Sequence, residues 1–174
     1  MKLSGKKVAY LIGPGFEDLE FWVPVMRLRE EGAQVTIVGL KAGEVYTGKT
    51  CLEGKADVGA EEVQAADFDA VIVPGGWAPD KIRRYESVKK LVREAYQQGK
   101  IVGMICHAGL VGISAGIVAG HAATGSLGIK DDLVNAGATW RDEAAFRSEN
   151  IVWGRVVEDI PDFCRELVVA LAGE

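Results

Sequence analysis

Cysteine followed directly by histidine, Cys106-His107, closes the apolar run Ile101-Val-Gly-Met-Ile105 and precedes Ala108-Gly109. A thiol attacks as its thiolate, and a neighbouring imidazole can take the proton or pair with the charge. The apolar run reads as a buried strand and the residues after it as a helix, so Cys106 occupies the strand-to-helix turn. In a doubly wound sheet ligands bind beyond the carboxyl ends of the strands. The N-terminus of the next helix lowers a thiol pKa and leaves N–H groups free to hold an oxyanion.

Two further strand ends should converge on the same edge: Gly15-Phe16-Glu17-Asp18, and Gly75-Gly76. Glu17 is expected to position the cysteine through its carboxyl group, or to act as general acid/base if burial raises its pKa. Gly75 and Gly76 offer backbone oxyanion donors unobstructed by side chains, with the backbone N–H of His107 as a further expected donor. The bland alternatives are inert packing for Cys106 and a helix-start acid for Glu17.

Two motif matches carry less. Gly43-Glu-Val-Tyr-Thr-Gly48-Lys49-Thr50 fits the phosphate-binding pattern GxxxxGK[ST]. However, Val45, Tyr46 and Thr47 prefer strands, and no helical period follows, so a β-hairpin is expected. Gly112-Ile-Ser114-Ala-Gly116 fits the hydrolase pattern GxSxG, but Ser114 comes nine residues after Ile105. The motif needs its serine in the turn itself. Ser114 therefore reads as a packing residue inside a helix.

The elements that must position Cys106 alternate between strand and helix. Lys7–Ile12, Gln34–Leu40, Asp69–Pro74, Ile101–Ile105 and Ile151–Trp153 are short apolar strands. Helices are expected from Leu19 to Gly32, across Val88–Tyr96, after Ile105, and over Leu127–Ala136 and Pro161–Leu171, with Asp159 as a candidate cap for the last. The first helix carries two apolar stripes, Leu19/Trp22/Val23/Met26 and Phe21/Val25/Leu28. That calls for cover on both sides, a second subunit being one source of it. The pattern implies one α/β domain over residues 1–174, with a mostly parallel sheet covered on both faces.

Charge is unevenly distributed. Of 174 residues 26% are charged, yet none of the 29 between Lys100 and Lys130 is. A membrane span is the obvious alternative, but Cys106, His107, Ser114 and five glycines between 101 and 120 favour a buried strand and helix. The net charge of −5 argues against nucleic acid or an anionic membrane as partner. Three widely spaced cysteines without a CxxC pair suit neither a disulfide framework nor a zinc knuckle, and a reducing cytoplasm is the expected setting.

At these residues the chain resembles the DJ-1/PfpI superfamily, particularly its intracellular protease I (PfpI-like) branch. The landmarks are Phe16-Glu17-Asp18, Leu28-Arg-Glu-Glu-Gly32, Thr47-Gly48-Lys49, Phe68 to Gly76, Ala78-Pro79-Asp80, Ile105-Cys106-His107, Gly128 to Asp132 and Asn135-Ala-Gly137. The resemblance covers roughly residues 6–172 and implies a flavodoxin-like three-layer sandwich, with Cys106 as nucleophile on a strained elbow and Glu17 beside it. It also implies that a neighbouring subunit supplies the acid of a Cys-His-acid triad, at the position of Asp80. A homodimer follows, with a hexamer as its further assembly. No metal or organic cofactor is implied.

The activities implied are conversion of small reactive carbonyls (glyoxalase or deglycase chemistry) and peptide hydrolysis, with redox sensing or chaperone action as the non-enzymatic alternative. Three departures alter the pocket wall. The branch's Cys-His-Gly-Pro is Cys106-His107-Ala108-Gly109 here. Its Thr-Ser-Tyr-Pro-Gly is Thr124-Gly125-Ser126-Leu127-Gly128, and a histidine usual after Thr-Gly-Lys is Thr50.

Overall fold

The computed structural model describes all 174 residues. In chain order the strands and helices are β1 (Lys7–Leu11), α1 (Asp18–Glu30), β2 (Gln34–Gly39), β3 (Val45–Thr47), β4 (Glu53–Lys55), β5 (Val58–Gly59) and β6 (Ala70–Val73). There follow α2 (Ala78–Ile82), α3 (Glu86–Gln97), β7 (Ile101–Ile105), α4 (Gly109–Ala115), β8 (Ala122–Ala123) and α5 (Lys130–Asn135). The chain ends with β9 (Thr139–Trp140), β10 (Ala145–Ser148), β11 (Ile151–Gly154) and α6 (Ile160–Ala172).

Seven strands form one sheet in the order β10-β11-β7-β6-β1-β2-β5. Every pair in it is parallel except the hairpin β10–β11 at one edge. The inner strands β6 and β7 are buried at every position, which accounts for their unbroken apolar runs. Alternate residues on these strands feed two cores. Val71, Val73, Val102 and Met104 pack towards α3 and α4, whereas Ala70, Ile72, Ile101 and Ile105 pack towards α1 and α6.

Strand order reverses at β1, with β2 on one side and β6 on the other. The loops leaving β1, β6 and β7 therefore meet at one edge, where a crevice opens between diverging crossovers. The antiparallel bridge Phe16↔Gly76 joins the first two loops: Glu17 N–H donates to Gly75 O (3.1 Å) and Trp77 N–H to Gly15 O (2.8 Å).

The uncharged stretch becomes β7, α4 and the approach to β8, and no helix of the chain is long and apolar enough to cross a membrane. Its second histidine, His121, is buried far along the chain from the elbow. The Tyr96 hydroxyl lies 2.8 Å from its Nε2 and Ser148 Oγ 3.1 Å from its Nδ1, so it ties α3 to the β10–β11 hairpin. Residues 43–50 form the first arm and turn of an antiparallel β3–β4 hairpin, as the β-rich composition requires. Ser114 lies inside α4, where Arg83 Nε donates to its hydroxyl (2.8 Å).

Several local expectations need correction. The segment 127–136 divides into a short turn and the six-residue α5, and α2 and β10 are additional elements. Asp159 stands at the start of α6 without capping it, because Arg155 takes its carboxylate (2.9 Å). Of the two apolar stripes on α1, Phe21, Val25 and Leu28 are buried. Leu19, Val23 and Met26 remain exposed in the single chain.

Candidate active site

Cys106 leaves β7 with φ of +60°, in the left-handed region that non-glycine residues avoid. Such a residue costs on the order of 1–3 kcal/mol and persists only where its surroundings enforce it. The segment after β8 supplies part of that enforcement. Ser126 N–H donates to Cys106 O (3.2 Å), and a Cβ on Gly125 would lie 2.6 Å from that same oxygen. Glycine at 125 thus lets the backbone close against the elbow.

His107 Nδ1 lies 3.3 Å from Cys106 Sγ. Its ring is half-buried beside Gly128, and burial lowers its pKa from the usual value, with the Lys49 charge adding to the effect. The neutral imidazole is therefore favoured, in the form able to accept a proton. His107 Nε2 makes no hydrogen bond within the chain.

The carboxyl group at the thiol belongs to Glu20, one turn beyond the expected Glu17. Glu17 serves as the N-cap of α1, its Oε2 accepting from Glu20 N–H (2.8 Å). That bond turns the Glu17 side chain back onto its own helix. Glu20 is completely buried in the apolar stripe with Phe21, Pro24, Val25 and Leu28. The signal that could have found it is an acid at helical spacing on the stripe of Pro24 and Leu28.

Glu20 is held from both ends. Pro24 has no N–H with which to bond the Glu20 carbonyl, and the Tyr10 hydroxyl takes that place, donating at 2.6 Å. At the other end Gly75 N–H donates to Glu20 Oε2 (2.8 Å). Gly75 must be glycine, since a Cβ there would fall 2.2 Å from Oε2 and 2.8 Å from the Cys106 Cβ. Glu20 Oε1 is buried without a hydrogen-bond partner, and Gly75 packs against both Glu20 Oε2 and the Cys106 Cβ, so the carboxyl group lies near enough to the thiol for each to shift the other's pKa.

Burial, reinforced by the charge of Glu17, raises the Glu20 pKa to about 8. Burial also pushes the Cys106 thiol up to about 12, and an ionised Glu20 adds to this by charge and by accepting the S–H. Once Glu20 is protonated, both contributions from the carboxylate vanish and the acid can donate to the sulfur instead. The two groups thus lose their first proton as a unit. His107 N–H and the Lys49 ammonium favour placing the resulting charge on sulfur.

The backbone donors divide. Gly75 N–H is committed to Glu20 and is withdrawn from the expected oxyanion set. Gly76 N–H makes no bond within the chain and remains for an incoming oxygen, and His107 N–H acts on the sulfur. Gly76 has φ of +79°, and a Cβ would lie 2.4 Å from Glu17 N.

Asp80 lies on the exposed face of α2, paired with Arg84 (2.6 Å). No group of three or more His, Cys, Asp or Glu side chains converges to ligate a metal ion. Lys49 is the functional candidate that residue patterns passed over. Its ammonium lies 5.4 Å from the centre of the Trp77 ring, and its charge acts on Cys106, Glu20 and His107 alike.

A strained cysteine elbow at the carboxyl edge of a parallel α/β sheet, with a buried glutamic acid at the thiol, defines the class. Residues 6–170 match the DJ-1/PfpI family, and the chain belongs to that family. It is 39% identical over 165 residues to Deglycase PH1704 of Pyrococcus horikoshii, covering 95% of this chain and 99% of that one. It is 37% identical over 161 residues to the putative cysteine protease YraA of Bacillus subtilis, covering 92% of this chain and 95% of the relative.

Among solved structures it resembles a two-domain protein from Anabaena variabilis containing DJ-1/ThiJ/PfpI-like and ferritin-like domains, with TM-score 0.93 and 39% identity. That match covers 97% of this chain but 48% of the two-domain protein, so the likeness is to about half of it.

Proposed function

We propose that the protein is a cofactor-independent cysteine enzyme acting on small reactive carbonyl compounds, in glyoxalase or deglycase fashion. The observation that carries this reading is the buried Glu20 carboxyl against Cys106 on a positive-φ elbow. The thiolate adds to an aldehyde carbon, forming the S–C bond while the carbonyl electron pair moves to oxygen. Gly76 N–H receives that oxygen, and Glu20 supplies its proton.

For a 2-oxoaldehyde, His107 then moves the proton from C1 to C2 by way of an enediol. Water releases the resulting thioester as a 2-hydroxy acid. The sum is substrate plus one water, and Cys106 and Glu20 return to their starting states. The archaeal relative is named a deglycase, which supports this substrate class.

Assembly forms part of the proposal. The exposed Leu19, Val23 and Met26 on α1, with Leu52 beside them, provide an apolar face suited to a second copy of the chain. A homodimer, and a hexamer built from it, would bring Asp80 of a neighbour towards the unbonded Nε2 of His107. That arrangement also suits peptide hydrolysis, the second reading, which the protease name of the Bacillus relative supports.

The test compares methylglyoxal with fluorogenic peptides at equal enzyme concentration, and follows the thiol by mass spectrometry after mild peroxide. Carbonyl turnover well above peptide turnover is expected. Selective oxidation of Cys106 with no turnover of either class would replace the enzyme reading with a redox-sensing one.

A further inference from the structure

The turn carrying Lys49 is fastened to the site more firmly than an exposed hairpin tip requires. Asp18, buried at the start of α1, accepts from Thr50 N–H through Oδ2 (2.9 Å) and from Leu52 N–H through Oδ1 (2.8 Å). Lys49 N–H donates to Phe16 O (3.0 Å), and Gly15 N–H to Thr47 O (3.0 Å). Gly48 packs so closely on Asp18 that a Cβ would lie 2.6 Å from Oδ1. One segment, residues 15–20, therefore both carries Glu20 and anchors the Lys49 turn.

The lysine stands over Trp77, which follows the Gly75-Gly76 loop and lies against Gly15. Both side chains are exposed at the mouth of the site. Lys49 takes part in none of the chain's ion pairs. A cation without a carboxylate partner, held over an aromatic face beside a nucleophile, is placed to receive an anion.

We propose that Lys49, backed by Trp77, is a specificity residue that selects carbonyl compounds bearing a carboxylate over neutral ones of similar size. The proposal rests on the carbonyl reading of the site and narrows its substrate class. The carboxylate binds the ammonium while the aldehyde carbon faces Cys106. The Lys49 charge bears in the same direction on Cys106, Glu20 and His107, which supports the placement given by Trp77 and the tethered turn.

Two readouts separate this inference from the proposal it rests on. The first needs no turnover: Cys106 is alkylated with iodoacetate or with neutral iodoacetamide, and the modified peptide is quantified. In each case an S–C bond forms, the C–I bond breaks, iodide departs, and the thiol proton passes to solvent. Any change in thiol acidity alters both rates alike and cancels in their ratio, with N-acetylcysteine as the reference thiol.

In Lys49→Met the iodoacetate/iodoacetamide ratio should fall about 10-fold, equivalent to ~1.4 kcal/mol, while Lys49→Arg should keep it within about 3-fold. The second readout compares 4,5-dioxovalerate with methylglyoxal. Lys49→Met should lower kcat/KM for the carboxylated substrate about 10-fold more than for methylglyoxal, whose own loss reports the effect of the lysine charge on the thiol alone. An unchanged alkylation ratio, or equal losses with both carbonyls, overturns the role of Lys49. A lowered ratio without turnover of either carbonyl upholds the anion site and overturns the carbonyl-enzyme reading.

Discussion

The stability advantage of Glu20→Gln over wild type should grow as pH rises, because the buried carboxyl is held against its ordinary ionisation. The Glu20 pKa lies at about 8 in the folded chain, against 4.5 for the free side chain. A raised pKa means that the folded state binds the proton more tightly. Its stabilising effect is complete below about pH 4.5 and is lost as pH rises towards 8.

At pH 7 the unfolded chain has gained about 2.5 pH units of ionisation that the folded chain cannot share, or roughly 3 kcal/mol at 1.36 kcal/mol per unit. Glutamine does not titrate and keeps an amide oxygen for Gly75 N–H. The stability gap between Glu20→Gln and wild type should therefore widen by about 3 kcal/mol from pH 4.5 to pH 7, or about 6–12 °C in Tm for a chain of this size. Guanidinium unfolding at pH 4.5, 6, 7 and 8, at fixed protomer concentration, measures it. Asp18 and His107 titrate in both proteins and cancel in the difference. A gap that stays constant across this range would refute the assignment of a raised Glu20 pKa.

Further outcomes follow from the same contacts. Tyr10→Phe removes the only donor to the Glu20 carbonyl left open by Pro24 and should cost about 1–3 kcal/mol in denaturant unfolding. Gly76→Ala forces a Cβ to 2.4 Å from Glu17 N at a positive φ. It should lower stability by more than about 2 kcal/mol, and carbonyl turnover should fall in the fraction that remains folded. Asp18→Asn retains one acceptor for two N–H groups and should cost about 1–3 kcal/mol at pH 7. The Asp18 pKa is lowered by its backbone hydrogen bonds, which together outweigh desolvation, so the difference from wild type should shrink as pH falls below about 4.

The architecture was legible because the inner strands are continuous apolar runs and the helices carry clear periodicity. The uncharged stretch shows why. Val102, Met104, Val111 and Ala115 are buried on one side of the sheet, leaving no room for charge except at its edge. Cys106 was legible because its place after β7 follows from that run alone.

Glu20 was not, because the expectation went to Glu17, the acid nearest the glycine turn. An N-cap side chain folds back onto the helix, and the helical period carries Glu20, three residues on, into the core. The commitment of Gly75 N–H to Glu20 was equally hidden, since it joins residues 55 apart in sequence. Lys49 escaped because its hairpin is far from Cys106 along the chain, and bonds to residues 15–18, formed only on folding, bring its turn to the site.

The central claim is that Cys106 is the nucleophile of a carbonyl-converting site. Initial rates of methylglyoxal loss and 2-hydroxy acid formation, followed by proton NMR for wild type and Cys106→Ser, test it most directly. The account predicts steady turnover by wild type and a fall of at least about 100-fold in the serine variant, with its fold intact by circular dichroism. Equal turnover by the two proteins would contradict it.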